Sequence, residues 1–268
     1  MVNIDTKEQC SLKKEIQEYW TKNVPILNIG LEKFSHLSKE FYLEVDNLRL
    51  RYEPFAFSLI DSFAGEGLSI LEIGCGLGYD SRYMAKKGLK VVSLDLSFRN
   101  VDLTLKGSSL LELDVKGICA DGENLPFQNN TFDIVYSFGV LHHTPNTQKA
   151  IDEIYRVLKP QGKCFVMLYH KGYAYYFIKL YGWISLKYLS KTEDRLISDL
   201  YDHTPLSKMY NGNHAYKMFN NFRETKIGIT TYGGIQNNKK FKWIYILLNK
   251  FPFLMRILGS YLIIRAVK

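Results

Sequence analysis

The segment Leu71-Glu72-Ile73-Gly74-Cys75-Gly76-Leu77-Gly78 decides the fold. Ser69 to Gly74 is short and apolar, as a buried strand is, and Tyr79 to Lys87 is amphipathic and stops before Gly88, as helices tend to. Glycines at 74, 76 and 78 therefore lie between a strand and a helix N-terminus, where missing side chains let a ligand approach the backbone. A tight turn packed on a sheet would need glycine as well. The spacing departs from the dinucleotide pattern GxGxxG: counting from Gly74 the sixth position is Tyr79, and the third glycine comes early at Gly78. A nicotinamide or flavin enzyme is disfavoured.

Downstream the unit repeats. Strands are expected at Lys90–Leu94, Val115–Ala120, Phe132–Ser137 and Lys163–Leu168, with helices at Arg99–Leu111 and Thr147–Leu158. Such alternation implies a parallel sheet with right-handed crossovers. Two late strands are expected near Thr225–Thr230 and Tyr261–Ala266. Upstream, from Leu12 to Phe63, apolar residues recur at helical spacing with breaks at Pro25 and Gly30, which predicts two or three helices before any strand. The expected fold is α/β: a Rossmann-like doubly wound sheet, mostly parallel with an antiparallel late strand, plus an N-terminal helical cap and a helical insert after the fifth strand. With no internal repeat or low-complexity linker, residues 1–268 read as a single domain: a cap over 1–66, a cofactor-binding core over 67–168, a substrate lid over 169–220 and the final strands over 221–268.

Asp95 ends the second strand about 20 residues past the glycine loop, where an acceptor can receive hydrogen bonds from both hydroxyls of a ribose. A nucleoside fits this better than a bare phosphate. The glycine segment with Asp95 resembles the class I S-adenosylmethionine-dependent methyltransferases. More of their pattern follows in order: Asp121-Gly122-Glu123-Asn124-Leu125-Pro126-Phe127 is similar to the family's adenine loop, Phe132-Asp133-Ile134-Val135 to its fourth strand, and Arg156-Val157-Leu158-Lys159-Pro160-Gln161-Gly162-Lys163 to the turn before strand five.

The resemblance implies S-adenosyl-L-methionine as cofactor. Gly74 and Gly76 would pass beneath its methionine part, and Glu72, Cys75 and Gly78 of the same segment would belong to the cofactor-binding set. Asp95 would hold the ribose, with the adjacent Leu96 also binding the cofactor, and Asp121 the adenine amino group, with Gly122 and Glu123 shaping that pocket; Phe138 and Val140 would lie beside the sulfonium. Methyl transfer from a sulfonium needs alignment and exclusion of water, and no metal.

An oxygen or nitrogen acceptor usually loses a proton as it attacks, and histidine suits that task. His142 and His143 follow the fourth strand at the carboxyl end of the sheet, where ligands of open α/β folds bind, and some small-molecule methyltransferases that resemble this chain use a histidine of the pair as base. Of the two, His143 is preferred, and His170, just past the fifth strand, is the next candidate. A structural role is the alternative for each. For acceptor contacts the insert offers Tyr169, Tyr173 and Tyr176, whose rings could instead cover the sheet or form a dimer contact. The cap offers Tyr19, Tyr42 and Arg51, in a stretch similar to the cap of bacterial methyltransferases from natural-product and sugar-modification contexts.

Composition is that of a globular protein, with 46% hydrophobic and 23% charged residues. Met1 to Gln17 lacks an apolar secretory stretch, so a cytoplasmic location is expected. The cysteines at 10, 75, 119 and 164 form no CxxC pair, so neither a disulfide nor a zinc site is expected. The formal charge is +8, and the excess sits late: residues 1–170 hold 19 Lys+Arg against 22 Asp+Glu, whereas 171–268 hold 16 against 5. That asymmetry admits three rivals to a small-molecule acceptor. A nucleic-acid substrate is disfavoured because Ser137-Phe138-Gly139-Val140 stands where amino-methylating relatives carry an Asp/Asn-Pro-Pro-aromatic motif. Peripheral membrane contact is suggested by Lys239, Lys240, Lys242, Lys250 and Arg256 interleaved with Phe241, Trp243 and the run Phe251 to Met255, although lysines on a packed helix would look the same. A non-enzymatic nucleoside-binding module is opposed by the intact glycine loop, Asp95 and Asp121. Oligomeric state carries no sequence signal.

Overall fold

The structure is a computed structural model that describes residues 6–24, 37–230, 250–251, 254 and 257–268. Three cap helices, α1 (Thr6–Lys22), α2 (Lys39–Tyr52) and α3 (Pro54–Asp61), precede the sheet. Then come β1 (Ser69–Ile73), α4 (Tyr79–Lys86), β2 (Lys90–Asp95), α5 (Phe98–Leu110), β3 (Val115–Cys119), β4 (Phe132–Phe138), α6 (Thr147–Val157) and β5 (Leu158–Tyr169). The insert carries α7 (Tyr173–Ile184), α8 (Glu193–Ile197) and α9 (Gly212–Met218), and β6 (Glu224–Thr230) and β7 (Tyr261–Val267) follow. Pro25, Gly30 and the basic segment from Lys239 to Trp243, with Arg256, lie outside the described residues.

The strands form one seven-stranded sheet in the order β3-β2-β1-β4-β5-β7-β6. Every pairing from β3 to β5 is parallel, and β7 runs antiparallel to both β5 and β6. This is the expected doubly wound sheet with its late antiparallel strand. Apolar side chains leave both faces. On one, Leu59, Ile60 and Phe63 from α3 and the turn after it, with Met84 of α4, cover Ile70, Ile134 and Tyr136. On the other, the amphipathic α6 buries Ala150, Ile151, Ile154 and Val157 against Leu71, Val135 and Val166.

One boundary differs from the sequence reading by more than a residue. The fifth strand starts at Leu158 rather than Lys163, because Phe132 pairs with Leu158 and Ile134 with Lys163. Pro160, Gln161 and Gly162 thus form a bulge inside the strand, where a residue without an N–H and a positive φ at Gln161 (65°) are tolerated.

Strand order reverses between β1 and β4, so their carboxyl ends open a crevice that the loops after them can line. Helix α1 lies across it: Gln17 Nε2 donates to Leu96 O (2.7 Å), and Thr21 Oγ1 to Ser97 Oγ (2.9 Å).

Candidate active site

A cleft of about 540 Å³ occupies this crevice, within the range of small-ligand sites. At its floor, Gly74 has φ 84°, and a Cβ there would meet Val140 at 2.1 Å. Gly76 has φ 53°, and its missing Cβ leaves open space on the cleft side. The first glycine is required by packing and the second keeps the backbone open to a ligand.

Asp95, at the end of β2, holds the loop in place. Its Oδ2 accepts from Gly76 N (3.0 Å) and its Oδ1 from Ser97 N (2.9 Å) and Asn100 Nδ2 (3.2 Å). Burial raises its pKa, and these donors oppose the rise. Asp121 accepts from Glu123 N through Oδ1 (2.8 Å) and from Lys13 Nζ through Oδ2 (2.5 Å), while Lys13 also meets Glu123 Oε2 (2.6 Å). Burial opposes the Lys13 charge, but the two carboxylates outweigh it and its pKa is raised. Leu96, Gly122, Phe138 and Val140, also expected from the sequence, stand on the cleft wall.

Part of the cleft wall is aromatic, with Tyr19, Trp20, Phe138, Tyr169 and Tyr261. Among them lies His143, in the short helical turn after β4. A carbonyl can only accept, so the 2.8 Å contact with Leu206 O puts the proton on Nδ1. Nε2 is left unprotonated, 3.9 Å from Asp202 Oδ2. Asp202 is itself oriented by Ser207 Oγ, which donates to Oδ2, and by Thr204 Oγ1, which donates to Oδ1 (3.0 Å). Burial pulls the His143 pKa below the ordinary value, and Asp202 partly counters it. A neutral imidazole beside a carboxylate is equipped to accept a proton.

Several sequence-selected residues lie elsewhere. His142 is wholly buried beside His143, its ring tilted against that of Tyr169 with centroids 3.7 Å apart, and neither ring nitrogen meets a partner among the described residues. His170 is buried off the cleft wall, its Nδ1 against Gly259 O (3.0 Å). Glu72 is buried and hydrogen-bonded by Ser81, and burial with nearby Asp80 lifts its pKa well above the carboxylate range. The buried Cys75 is off the wall, and Gly78 caps α4, where a Cβ would strike Thr104. Tyr42 is in the core and donates to Leu103 O (2.9 Å). Arg51, Tyr173 and Tyr176 are exposed.

The cap's cleft arginine is Arg49 instead. Two residues along a helix are about 200° apart, so Arg51 faces outward while Arg49 belongs to the buried stripe of Val45 and Leu48. Its guanidinium pairs with Glu53 and donates to Asp80 Oδ1 (3.1 Å) and Oδ2 (2.7 Å), and it sits 4.4 Å from the Phe138 ring centroid. Lys13, Asp202, Thr204 and Tyr261 were likewise not selected from sequence.

Residues 71–166 match the family described as "Methyltransferase domain". The ubiquinone biosynthesis O-methyltransferase of Coxiella burnetii is 27% identical over 180 residues, 67% of this chain and 69% of that protein. Phosphoethanolamine N-methyltransferase 2 of Caenorhabditis elegans is 34% identical over 110 residues, 40% of this chain but 25% of that protein. Among solved structures, the Haemonchus contortus phosphoethanolamine N-methyltransferase 2 in complex with S-adenosyl-L-methionine has the same fold, with TM-score 0.62, 18% identity, and coverage of 94% of this chain and 60% of the other.

Proposed function

We propose a neutral, hydroxylated aromatic small molecule as the acceptor of this chain, which is a class I S-adenosylmethionine-dependent methyltransferase. The observation that carries the proposal is the division of the cleft. One end is an open glycine backbone flanked by two carboxylates, and the other is a ring of aromatic side chains around the unprotonated Nε2 of His143.

S-adenosylmethionine fits the first end. Gly76 offers space where a Cβ would stand, Asp95 and Asp121 are acceptors for ribose hydroxyls and an adenine amino group, and that amino group would compete with Lys13 for Asp121. Bound there, the cofactor would supply an electrophilic methyl group for an acceptor oxygen. His143 Nε2 takes the proton the hydroxyl loses, and Asp202 stabilises the resulting imidazolium. Tyr19 and Trp20 of the cap, with Tyr169 at the end of β5, hold a flat ring and exclude water. The cap and the insert thereby act with the core as one catalytic unit.

The charge pattern supports neutrality. The basic side chains on the described wall, Lys13 and Arg49, each serve two carboxylates, so neither is left for a phosphate, whether on nucleic acid or on an acceptor such as the phosphoethanolamine that the nematode relative is named for. The O-methyltransferase name of the Coxiella relative is consistent with a hydroxyl acceptor.

The test is methyl transfer from labelled cofactor to a panel of phenols, catechols, aryl amines and phosphorylated amino alcohols. Transfer to the hydroxylated rings is expected, and transfer confined to the phosphorylated compounds would overturn the proposal. On the cofactor side, Gly76→Val is expected to leave the fold assembled and to weaken S-adenosylhomocysteine binding by at least about tenfold, because the added branch enters the ligand's path at a backbone angle that L side chains avoid. Calorimetry with circular dichroism checks both parts.

A further inference from the structure

Helix α7 is apolar on both sides. Its inner face, Tyr175, Ile178 and Gly182, is buried against Leu196, Ile197 and Met209. The opposite face carries Tyr176, Phe177, Leu180, Trp183 and Ile184, of which Phe177, Trp183 and Ile184 are 74%, 66% and 73% exposed, and Leu189 beyond the helix is 84% exposed. Single exposed apolar residues are ordinary, but a contiguous patch of this size is characteristic of an interaction surface. A helix apolar all round is ordinarily enclosed.

We propose that the outer face of α7 docks on the surface of an anionic lipid bilayer. The cations at its border favour that occupant. Residues 171–200 hold five Lys+Arg against three Asp+Glu. Two of the acids are internally neutralised, Glu193 by Lys171 and Asp199 by Lys191 and Arg195. Lys179 and Lys187 form no salt bridge among the described residues; they lie beside the Tyr175 and Tyr181 rings, with Glu193 and Asp199 close enough to feel their charges. An apolar face bearing tryptophan and tyrosine, edged with lysines, suits the boundary between headgroups and acyl chains. Pairing with a second copy about a two-fold axis would instead bring like-charged borders together. No helix among the described residues is long and apolar enough to cross a membrane, so the contact is peripheral. These residues are distinct from the basic segment near Lys239 on which the sequence pattern drew.

The experiment is sedimentation of the full chain with vesicles of phosphatidylcholine alone or with roughly a third phosphatidylglycerol. Binding to the anionic vesicles is expected, reduced by salt. In the double variant Phe177→Glu, Trp183→Glu the bound fraction should fall at least about tenfold, with circular dichroism and melting unchanged, since neither side chain packs in the core. Wild type remaining in the supernatant, or the double variant sedimenting equally well, would overturn the proposal. So would a wild-type dimer that ignores vesicles and becomes monomeric in the variant, which would assign the face to a second copy. The readout is independent of methyl transfer, so its failure leaves the enzymatic reading untouched.

Discussion

Replacing His143 with alanine is expected to lower kcat about 10²–10⁴-fold while cofactor affinity stays within about twofold. The reason is local. Leu206 O fixes the proton on Nδ1 and leaves Nε2 as the acceptor beside Asp202, whereas the glycine loop, Asp95 and Asp121 make no contact with the ring that would disturb cofactor binding. Asparagine at this position should be no better than alanine, because shape without a proton acceptor does not restore the step. The pH dependence sharpens the test. Burial favours the neutral ring and lowers its pKa, so the base form persists as pH falls, and the acidic limb of kcat/KM should lie below the ordinary histidine value of about 6.5. Asp202 acts in the opposite direction on that pKa. Asp202→Asn should therefore move the limb further toward acid and also lower the plateau, as the imidazolium loses its counter-charge. A limb unmoved by Asp202→Asn would remove Asp202 from the proton path.

Arg49→Met should destabilise the fold by about 3–5 kcal/mol, the largest stability effect expected from one cap residue. Arg49 is 4% exposed and is the cation shared by Glu53 and Asp80, which are themselves buried. Tyr136 in the central strand donates to Asp80 Oδ2 (2.9 Å), so the network ties α2 and α4 to the sheet. Methionine retains the length of the side chain and removes the charge, leaving two buried carboxylates without their cation. Arg49→Lys should recover only part of the loss, since one ammonium cannot reproduce the two-pronged contact with Asp80. Chemical denaturation of the two variants measures both effects, and a loss below about 1 kcal/mol for Arg49→Met would show that the network is solvated in solution.

The residues legible in the sequence share one property: they lie on contiguous strand–loop–helix units. Gly74, Gly76, Asp95 and Asp121 each end a strand or open the loop after it, so chain order alone brings them to one edge of the sheet. His143 was legible for the same reason. The rest of the aromatic end of the cleft is assembled across long separations and left no local mark. Asp202 reaches His143 through an insert held by Leu206 O, and Tyr261 reaches Tyr169 because β7 turns back antiparallel and makes them register partners with stacked rings. Choosing Arg51 over Arg49 was an error of helical phase, which the buried positions Val45, Leu48 and Arg49 on α2 resolve. Reading Tyr173 and Tyr176 as pocket residues took aromatic content for direction: Tyr169 ends the strand at the cleft, whereas α7, beginning four residues later, turns its outer rings to solvent. Lys13 had no motif at all, only a place on the helix that crosses the cleft.

The central claim is a cofactor cleft floored by the Gly74–Gly78 turn and gripped by Asp95. Its most direct test is calorimetric titration of the wild-type chain and of Asp95→Ala with S-adenosylhomocysteine, with melting curves recorded alongside. Saturable binding of one ligand per chain, lost or weakened at least about tenfold in a folded Asp95→Ala, is the predicted result. A folded wild-type chain that binds neither this ligand nor S-adenosylmethionine, with or without hydroxylated aromatic acceptors present, would contradict it.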